Sequence, residues 1–183
     1  VPAIYALANA GEVMYIVSVS KILGPGVRLG FFIAPEKISA RLMPWKMDGG
    51  SSMLSQMIAA EYFRENLWEH VEEGRQAVKE KRNVLLDALE GEFGAVPGMT
   101  WTQPDGGLFV WIRVPDEVDR VRLSELATAR GITYATGQAF HALNEDVPYI
   151  RLAFGWIEKD DIAEGVRALA ECVRDAMPAR AST

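Results

Sequence analysis

Apolar residues near the start of the chain form short runs that are separated by turn-forming residues. Residues 13–17 make an apolar run that is long enough for a buried strand and too short for a helix. A second run, residues 29–34, stops at Pro35. Because Gly24-Pro25-Gly26 breaks regular structure between the two runs, the pattern predicts a strand, a loop and a second strand.

Helical spacing of apolar residues begins later in the chain. From Leu54 to Leu67 the apolar residues keep largely to one face, and either Ser51 or Ser52 is suited to cap the helix. A second and longer helix is predicted over residues 71–89, with apolar residues inward and many charged residues outward. This part of the chain therefore predicts two successive helices.

Residues 100–183 predict a mixed α+β unit. Four strands and two helices are expected: strands over 100–102, 108–114, 132–134 and 149–154, and helices over 123–129 and 158–177. Acidic residues open the last helix and Arg174 lies near its end, an arrangement that suits the helix dipole.

Composition and charge narrow the possible partners. The 183 residues are 49% hydrophobic and 24% charged, with a net charge of −6, which gives no electrostatic reason to expect nucleic acid or an anionic membrane. Cys172 is the single cysteine, which fits a reducing cytoplasm, and His70 and His141 lack neighbours at metal-ligand spacing. We therefore expect a cytoplasmic protein without a metal site. Since the chain does not begin with Met, we also expect it to be a fragment.

Hydroxyl and cationic side chains gather around the glycine-rich stretch. Ser18, Ser20, Lys21 and Arg28 lie within eleven residues at the end of the first predicted strand. Forked guanidinium donors and short hydroxyl bonds suit a phosphate, and glycines allow the backbone to approach an anion. A lysine that is partly desolvated beside Arg28 would present a neutral amine, which can form an imine with an aldehyde.

Two other interpretations of this stretch are possible. Lys21 could be solvated and Arg28 could pair with a surface carboxylate, which is the ordinary state of such residues. The spacing Ser18-x-x-Lys21 also matches the nucleophile and base of penicillin-binding proteins and β-lactamases. That motif opens a helix and is accompanied by Ser-Asp-Asn and Lys-Thr-Gly triplets, and neither triplet occurs in this sequence. We therefore set this second interpretation aside.

The stretch resembles the lysine loop of class I/II pyridoxal-phosphate (PLP) aminotransferases of fold type I, the aspartate aminotransferase superfamily. The matching pattern is Ser-x-Ser-Lys-x-Leu-x-Pro-Gly-x-Arg-x-Gly, from Ser18 to Gly30. Residues 104–111, 137–140 and 149–154 resemble later motifs of the family in the same order. The resemblance spans nearly the whole chain and looks closest to the branch of 2-aminoadipate and aromatic or kynurenine-type aminotransferases.

The resemblance implies a cofactor and a role for each candidate residue. Lys21 would form the internal aldimine with PLP and move a proton at the substrate α-carbon. Ser18, Ser20 and Arg28 would bind the cofactor phosphate, and Arg151 would hold the α-carboxylate of the substrate. For Arg151, the alternative is a structural salt bridge. Phe140, with the glycine of its motif, would shape the small domain near the substrate.

The resemblance also implies the fold class and the domain boundaries. We expect an α/β protein in which residues 1–70 end a large, mostly parallel PLP-binding sheet domain and residues 71–183 form a small α+β C-terminal domain. Family residues that contact the cofactor ring would precede Val1. The expected function is transamination between an α-amino acid and a 2-oxo acid, by a homodimer of the full-length protein. The fragment alone is expected to be inactive.

Two further functions remain compatible with the resemblance. The chain could be the aminotransferase-like effector domain of a winged-helix transcription regulator, in which PLP is a ligand and DNA is bound by a domain upstream. It could also belong to a PLP lyase or decarboxylase of the same fold. The upstream sequence distinguishes the regulator, and a half-reaction that depends on a 2-oxo acid disfavours the lyase.

Overall fold

The structure of the chain, a computed structural model, describes residues 2–8, 12–47 and 49–178. The chain folds into two compact units, Val1–Gly74 and Arg75–Thr183. Among the described helices, none combines the length and the apolar character that crossing a bilayer requires.

The described part of the first unit contains one antiparallel strand pair. Strand β1, Tyr15–Ser18, pairs with β2, Gly30–Ile33, so that Ser18 lies opposite Gly30. This confirms the predicted strand, loop and strand. A Cβ atom at Gly30 would lie 2.9 Å from the carbonyl oxygen of Val17, which is why a residue without a side chain is needed where the two strands begin to pair.

Short helices flank this strand pair. Helix α1 covers Ile4–Leu7, and helix α2 covers Glu36–Leu42 directly after Pro35. Neither was predicted from the apolar pattern, because both are too short to establish a helical period. A 3₁₀ turn, Met43–Trp45, follows α2.

A single long helix replaces the two helices that the sequence predicted. Helix α3 runs over 41 residues, Met53–Phe93. Ser52 caps it, since its Oγ accepts a hydrogen bond of 3.3 Å from the backbone N–H of Ser55. The prediction of a break near residue 70 was wrong, because nothing there ends a helix. Even Gly74, which costs about 1 kcal/mol relative to alanine in a helix, does not interrupt the hydrogen-bond ladder.

The second unit is built on a four-stranded antiparallel sheet. Its strands are β3 Thr100–Trp101, β4 Phe109–Arg113, β5 Ala135–Thr136 and β6 Tyr149–Ala153, in the spatial order β3-β4-β6-β5. Helix α4, Arg120–Ala129, precedes β5, and helix α5, Lys159–Asp175, follows β6. The unit is therefore α+β, as predicted.

One strand of this unit was predicted a few residues too early. The expected strand over 132–134 is irregular, and β5 begins only at Ala135, opposite Arg151. The backbone N–H of Ile132 still donates to the carbonyl of Ala127 at 2.8 Å. Because this bond ties Ile132 to the end of α4, the chain reaches the sheet only three residues later.

The hydrophobic core lies entirely within the second unit. On β4 and β6 the buried residues Val110, Ile112 and Ile150 alternate with residues on the other face of the sheet. Side chains of α3, α4 and α5 complete the core, among them Leu89, Leu123 and Leu169. In the described part of the first unit, by contrast, Val19 and Ala59 are the buried hydrophobic residues. The described part of the first unit therefore has almost no core of its own.

Candidate active site

The loop that joins β1 to β2, residues 18–30, is called the lysine loop here. Ser18 ends β1, and its Oγ accepts a hydrogen bond of 3.3 Å from the backbone N–H of Ser20. A 3₁₀ turn, Val19–Lys21, follows, so that Lys21 stands at the end of the turn. Val19 is buried, and its N–H donates to the carbonyl of Leu29 at 3.0 Å. The loop is thus anchored at its base, next to Lys21.

The returning half of the lysine loop has an unusual backbone. Gly24 has φ +135°, and a second 3₁₀ turn, Pro25–Val27, leads to Arg28 with φ 51° and ψ 41°. For a residue with a side chain, this left-handed conformation costs about 1–2 kcal/mol. Since such strain tends to be kept where a side chain must be aimed, Arg28 is a candidate functional residue.

The four predicted residues of the loop differ in exposure. Ser20 is half-buried, whereas Ser18, Lys21 and Arg28 are exposed. We expected Lys21 to be partly desolvated, and within this chain it lies open to solvent. Within the described residues, no carboxylate pairs with Lys21 or Arg28. The loop therefore presents a guanidinium, an amine and two hydroxyls without an anion, a donor set that fits a phosphate and an aldehyde.

Arg151 lies in the second unit, on the sheet face opposite the core. It is half-buried on β6, between Trp111 on β4 and Ala135 on β5. Its guanidinium carbon lies 4.0 Å from the ring centroid of Phe109 and 4.4 Å from that of Phe140. A planar guanidinium is attracted to aromatic faces at these distances. The two rings therefore hold the cation without neutralising it.

Among the described residues of the second unit, no ion pair includes Arg151. Arg113, on the same sheet face, pairs with Asp116 at 2.7 Å, and Arg120 binds Asp146. The Arg120 guanidinium holds the pKa of Asp146 below its ordinary value, and the carboxylate raises the pKa of Arg120 in return. Over the part of the chain that the structure describes, no acid pairs with Arg151, and its buried Nε has no hydrogen-bond partner. This disfavours the structural salt bridge for Arg151.

Close backbone packing brings Phe140 over Arg151. A Cβ atom at Gly137 would lie 2.7 Å from a Val147 methyl carbon and 2.9 Å from the Tyr149 Cβ. Only glycine lets the 3₁₀ turn Gly137–Phe140 approach β6 this closely. The Phe140 ring then meets Trp111 edge to face, with centroids 5.3 Å apart. Phe109 was not among the predicted site residues, because its contact with Arg151 depends on strand register.

The described part of the chain offers no group of side chains that could hold a metal ion. Over residues 2–8, 12–47 and 49–178, no three histidine, cysteine or acidic side chains come together as a metal site would require. The candidate chemistry is that of the amine, the guanidinium groups and the hydroxyls.

Comparison with known proteins identifies the family. The family model "Aminotransferase class I and II" matches residues 1–169, and the chain therefore belongs to that family. Among curated relatives, it is 38% identical to an uncharacterised HTH-type transcriptional regulator, YdfD, of Bacillus subtilis, over 90% of this chain and 34% of the relative. It is 35% identical to aromatic-amino-acid aminotransferase 1 of Thermococcus litoralis, over 97% of this chain and 43% of the relative.

A solved structure supports the fold. The α-aminoadipate aminotransferase LysN of Thermus thermophilus, complexed with N-(5'-phosphopyridoxyl)-L-leucine, is 30% identical and superposes with a TM-score of 0.83. The match covers 89% of this chain and 42% of LysN. The predicted family and the fold type I class are thus confirmed. The chain spans less than half the length of these relatives.

Proposed function

We propose that the chain is the C-terminal part of a PLP-dependent aminotransferase that transfers an amino group from an α-amino acid to a 2-oxo acid. The observation that supports this best is the unpaired set of cationic side chains in the lysine loop. In a member of this family, Lys21 and Arg28 stand free of acidic partners among the described residues, at a strained loop whose donors fit a phosphorylated aldehyde.

Lys21 would attach the cofactor and move the proton. Its Nζ would hold PLP through the aldehyde group, and the same amine would accept the proton from the substrate Cα. When bound, PLP supplies an electron-withdrawing ring that takes up the charge left on that carbon. An exposed lysine is a poor base of this kind, so the proposal includes burial of Lys21 in the full-length protein.

Ser18, Ser20 and Arg28 would bind the cofactor phosphate. The Oγ of Ser18 already accepts one backbone hydrogen bond, which leaves its O–H to donate. Arg28 would add forked donors to the phosphate oxygens, and two hydroxyls would complete part of the shell. The left-handed backbone of Arg28 supports this role, because such strain tends to be kept at functional positions.

Arg151 would hold the α-carboxylate of the amino acid substrate. Guanidinium and carboxylate form two parallel hydrogen bonds, and such a pair fixes the orientation of the substrate Cα–H bond. The rings of Phe109 and Phe140 lie against the guanidinium carbon and leave its N–H groups available for a carboxylate. The buried and unpartnered Nε also supports this role, because a bound carboxylate would supply an acceptor nearby.

The rest of the site would come from outside residues 1–183. Because the chain spans less than half of its relatives, we propose that an earlier part of the full-length protein contacts the cofactor ring. We also propose a homodimer, in which the exposed apolar residues of the first unit, such as Trp45 at 81% exposure, become covered. A cytoplasmic location is part of the proposal, since the one cysteine is a buried thiol.

The assignment of Lys21 can be tested on the full-length protein. PLP is added, the visible absorbance band is recorded, the adduct is reduced with borohydride, and the modified peptide is mapped. We expect the pyridoxyl group on Lys21. The Lys21→Ala variant should lose the band and at least about a thousandfold in transamination rate. Lys37→Ala, which removes an exposed lysine of the same unit, is the matched control and should keep both.

Two results would overturn the assignment. One is a pyridoxyl group on another lysine or on none. The other is a folded Lys21→Ala protein that still transaminates at the normal rate.

A transcription regulator is the second candidate function, because a relative with 38% identity is named as an HTH-type regulator. In that case the same lysine loop would bind PLP as a ligand, and a DNA-binding domain would precede this chain. The test is the half-reaction: a regulator would bind PLP at Lys21 without converting a 2-oxo acid. A basic helix-turn-helix segment upstream of residue 1 would favour the regulator.

A further inference from the structure

A histidine of helix α3 is hydrogen-bonded to the lysine loop. The Nε2 atom of His70 lies 2.6 Å from the carbonyl oxygen of Ile22, the residue directly after Lys21. The N–H of Ile22 donates to the carbonyl of Val19 at 3.0 Å within the loop. The peptide groups on both sides of Ile22 are therefore held, one by the loop and one by α3.

The acceptor determines which ring nitrogen of His70 carries a hydrogen. A carbonyl oxygen can only accept, so Nε2 must carry the hydrogen. In the neutral ring Nδ1 is then an acceptor, and the hydroxyl of Tyr62 lies 3.0 Å from it. The two rings meet nearly at right angles, at 87° with centroids 5.5 Å apart. A chain of two hydrogen bonds thus runs from Tyr62 through His70 to Ile22.

This chain of hydrogen bonds connects a loop to a long helix. Loops owe their order to a few contacts, whereas a long helix is restrained along its whole hydrogen-bond ladder. Tyr62 and His70 lie eight residues apart on α3, and Asn66 between them donates to the backbone carbonyl of Tyr62 at 2.9 Å. Since His70 is half-buried and bonded on both ring nitrogens, its ring has one defined orientation.

We propose that His70 and Tyr62 are positioning residues that hold the Lys21 amine where it can react. This inference rests on the proposed function, because it assumes that Lys21 attaches PLP. Neither residue is assigned a contact with cofactor or substrate. His70 fixes the peptide group between Ile22 and Leu23, directly after the residue that follows Lys21, and Tyr62 fixes the orientation of the His70 ring. Displacing a reacting group by about 1 Å can reduce a rate by a large factor, so a modest loss of anchoring has a measurable effect.

The test measures how fast the full-length protein attaches PLP. The apo protein is mixed with PLP, and the growth of the visible band gives a rate constant that does not depend on turnover. We expect His70→Leu, which removes both hydrogen bonds, to slow attachment and kcat by roughly tenfold, the factor that one neutral hydrogen bond represents. The KM for the amino acid should change less than about twofold, because Arg151 is untouched.

Matched variants separate positioning from general damage. His70→Gln keeps one donor and one acceptor, and it should restore attachment to within about threefold of the unmodified protein. Tyr62→Phe keeps the His70–Ile22 hydrogen bond and should be slowed by an intermediate factor. Arg64 lies on the same helix, and among the described ion pairs it contacts only the exposed Glu61 and Glu65. The Arg64→Ala variant should therefore attach PLP at the same rate as the unmodified protein.

The outcomes are distinguishable. If the unmodified protein carries no pyridoxyl group on Lys21, the proposed function fails. If it does carry one and His70→Leu attaches PLP at the normal rate, only the positioning role fails. Equal slowing by His70→Gln and His70→Leu would also overturn it. Should His70→Leu not fold, Tyr62→Phe decides: a reduced rate supports positioning, and an unchanged rate contradicts it.

Discussion

The replacement Arg151→Lys would test the carboxylate role most directly. It keeps the positive charge on β6 and removes the planar fork that contacts the rings of Phe109 and Phe140. An ammonium group can still attract a carboxylate, but it cannot form two parallel hydrogen bonds with it. One charge-assisted hydrogen bond contributes about 1.5–3 kcal/mol. Its loss corresponds to a rise of roughly 10- to 150-fold in the KM for the amino acid.

The stability of the protein should hardly change in this variant. Over the described residues Arg151 has no ion pair to lose, and its buried Nε is already without a partner. We therefore expect the free energy of unfolding to fall by no more than about 1 kcal/mol, the median effect of a substitution. This expectation separates a binding residue from a structural one, since breaking a buried ion pair costs about 3–5 kcal/mol.

The assay is the half-reaction of the full-length protein with a series of amino acid concentrations, followed by the spectral change of the cofactor. Arg113→Lys is the matched control, because Arg113 lies on the same sheet face and is occupied by Asp116. It should leave the KM within about twofold. An unchanged KM in Arg151→Lys, or a KM that rises only in proportion to a loss of folded protein, would contradict the role of Arg151 in binding the carboxylate.

Two further predictions concern folding. Residues 75–183, expressed alone, should unfold cooperatively on heating, because the whole core cluster lies within them; a broad, noncooperative transition seen by circular dichroism would contradict this. Gly137→Ala should lower the free energy of unfolding by about 1–3 kcal/mol, because its Cβ would lie 2.7 Å from a valine methyl carbon. Gly165→Ala, in a helix with open space at that position, should be neutral or stabilising by up to about 1 kcal/mol, and a denaturation series that ranks the two variants in the opposite order would rule out the steric explanation.

Local patterns predicted most of the helices and strands. The strand pair around the lysine loop, the strands β4 and β6 and the closing helix α5 were all expected near their observed bounds. The errors arose where the outcome depends on neighbours. Residues 132–134 have strand-like composition, yet Ile132 bonds to the end of α4. The sequence pattern also failed to predict that α3 continues past residue 70. The positions of the apolar residues on the helix surface shift along its length, while the backbone hydrogen bonds continue.

The candidate site was likewise predicted from the sequence only in part. Ser18, Ser20, Lys21 and Arg28 lie so close in the chain that their spacing alone brought them together as one hypothesis. The left-handed backbone of Arg28 and the exposure of Lys21 were visible only in three dimensions.

The sequence alone therefore established the family and the order of the elements, and it led to the hypothesis about the lysine loop, because these depend on residues near each other in the chain. The three-dimensional structure was needed to show which side chains contact the candidate residues and their loop. Phe109 reaches Arg151 through the register of β4 on β6, and His70 reaches the carbonyl of Ile22 across 48 residues. Such contacts cannot be recognised from the periodic pattern of the sequence, because folding brings together residues that are distant in the chain.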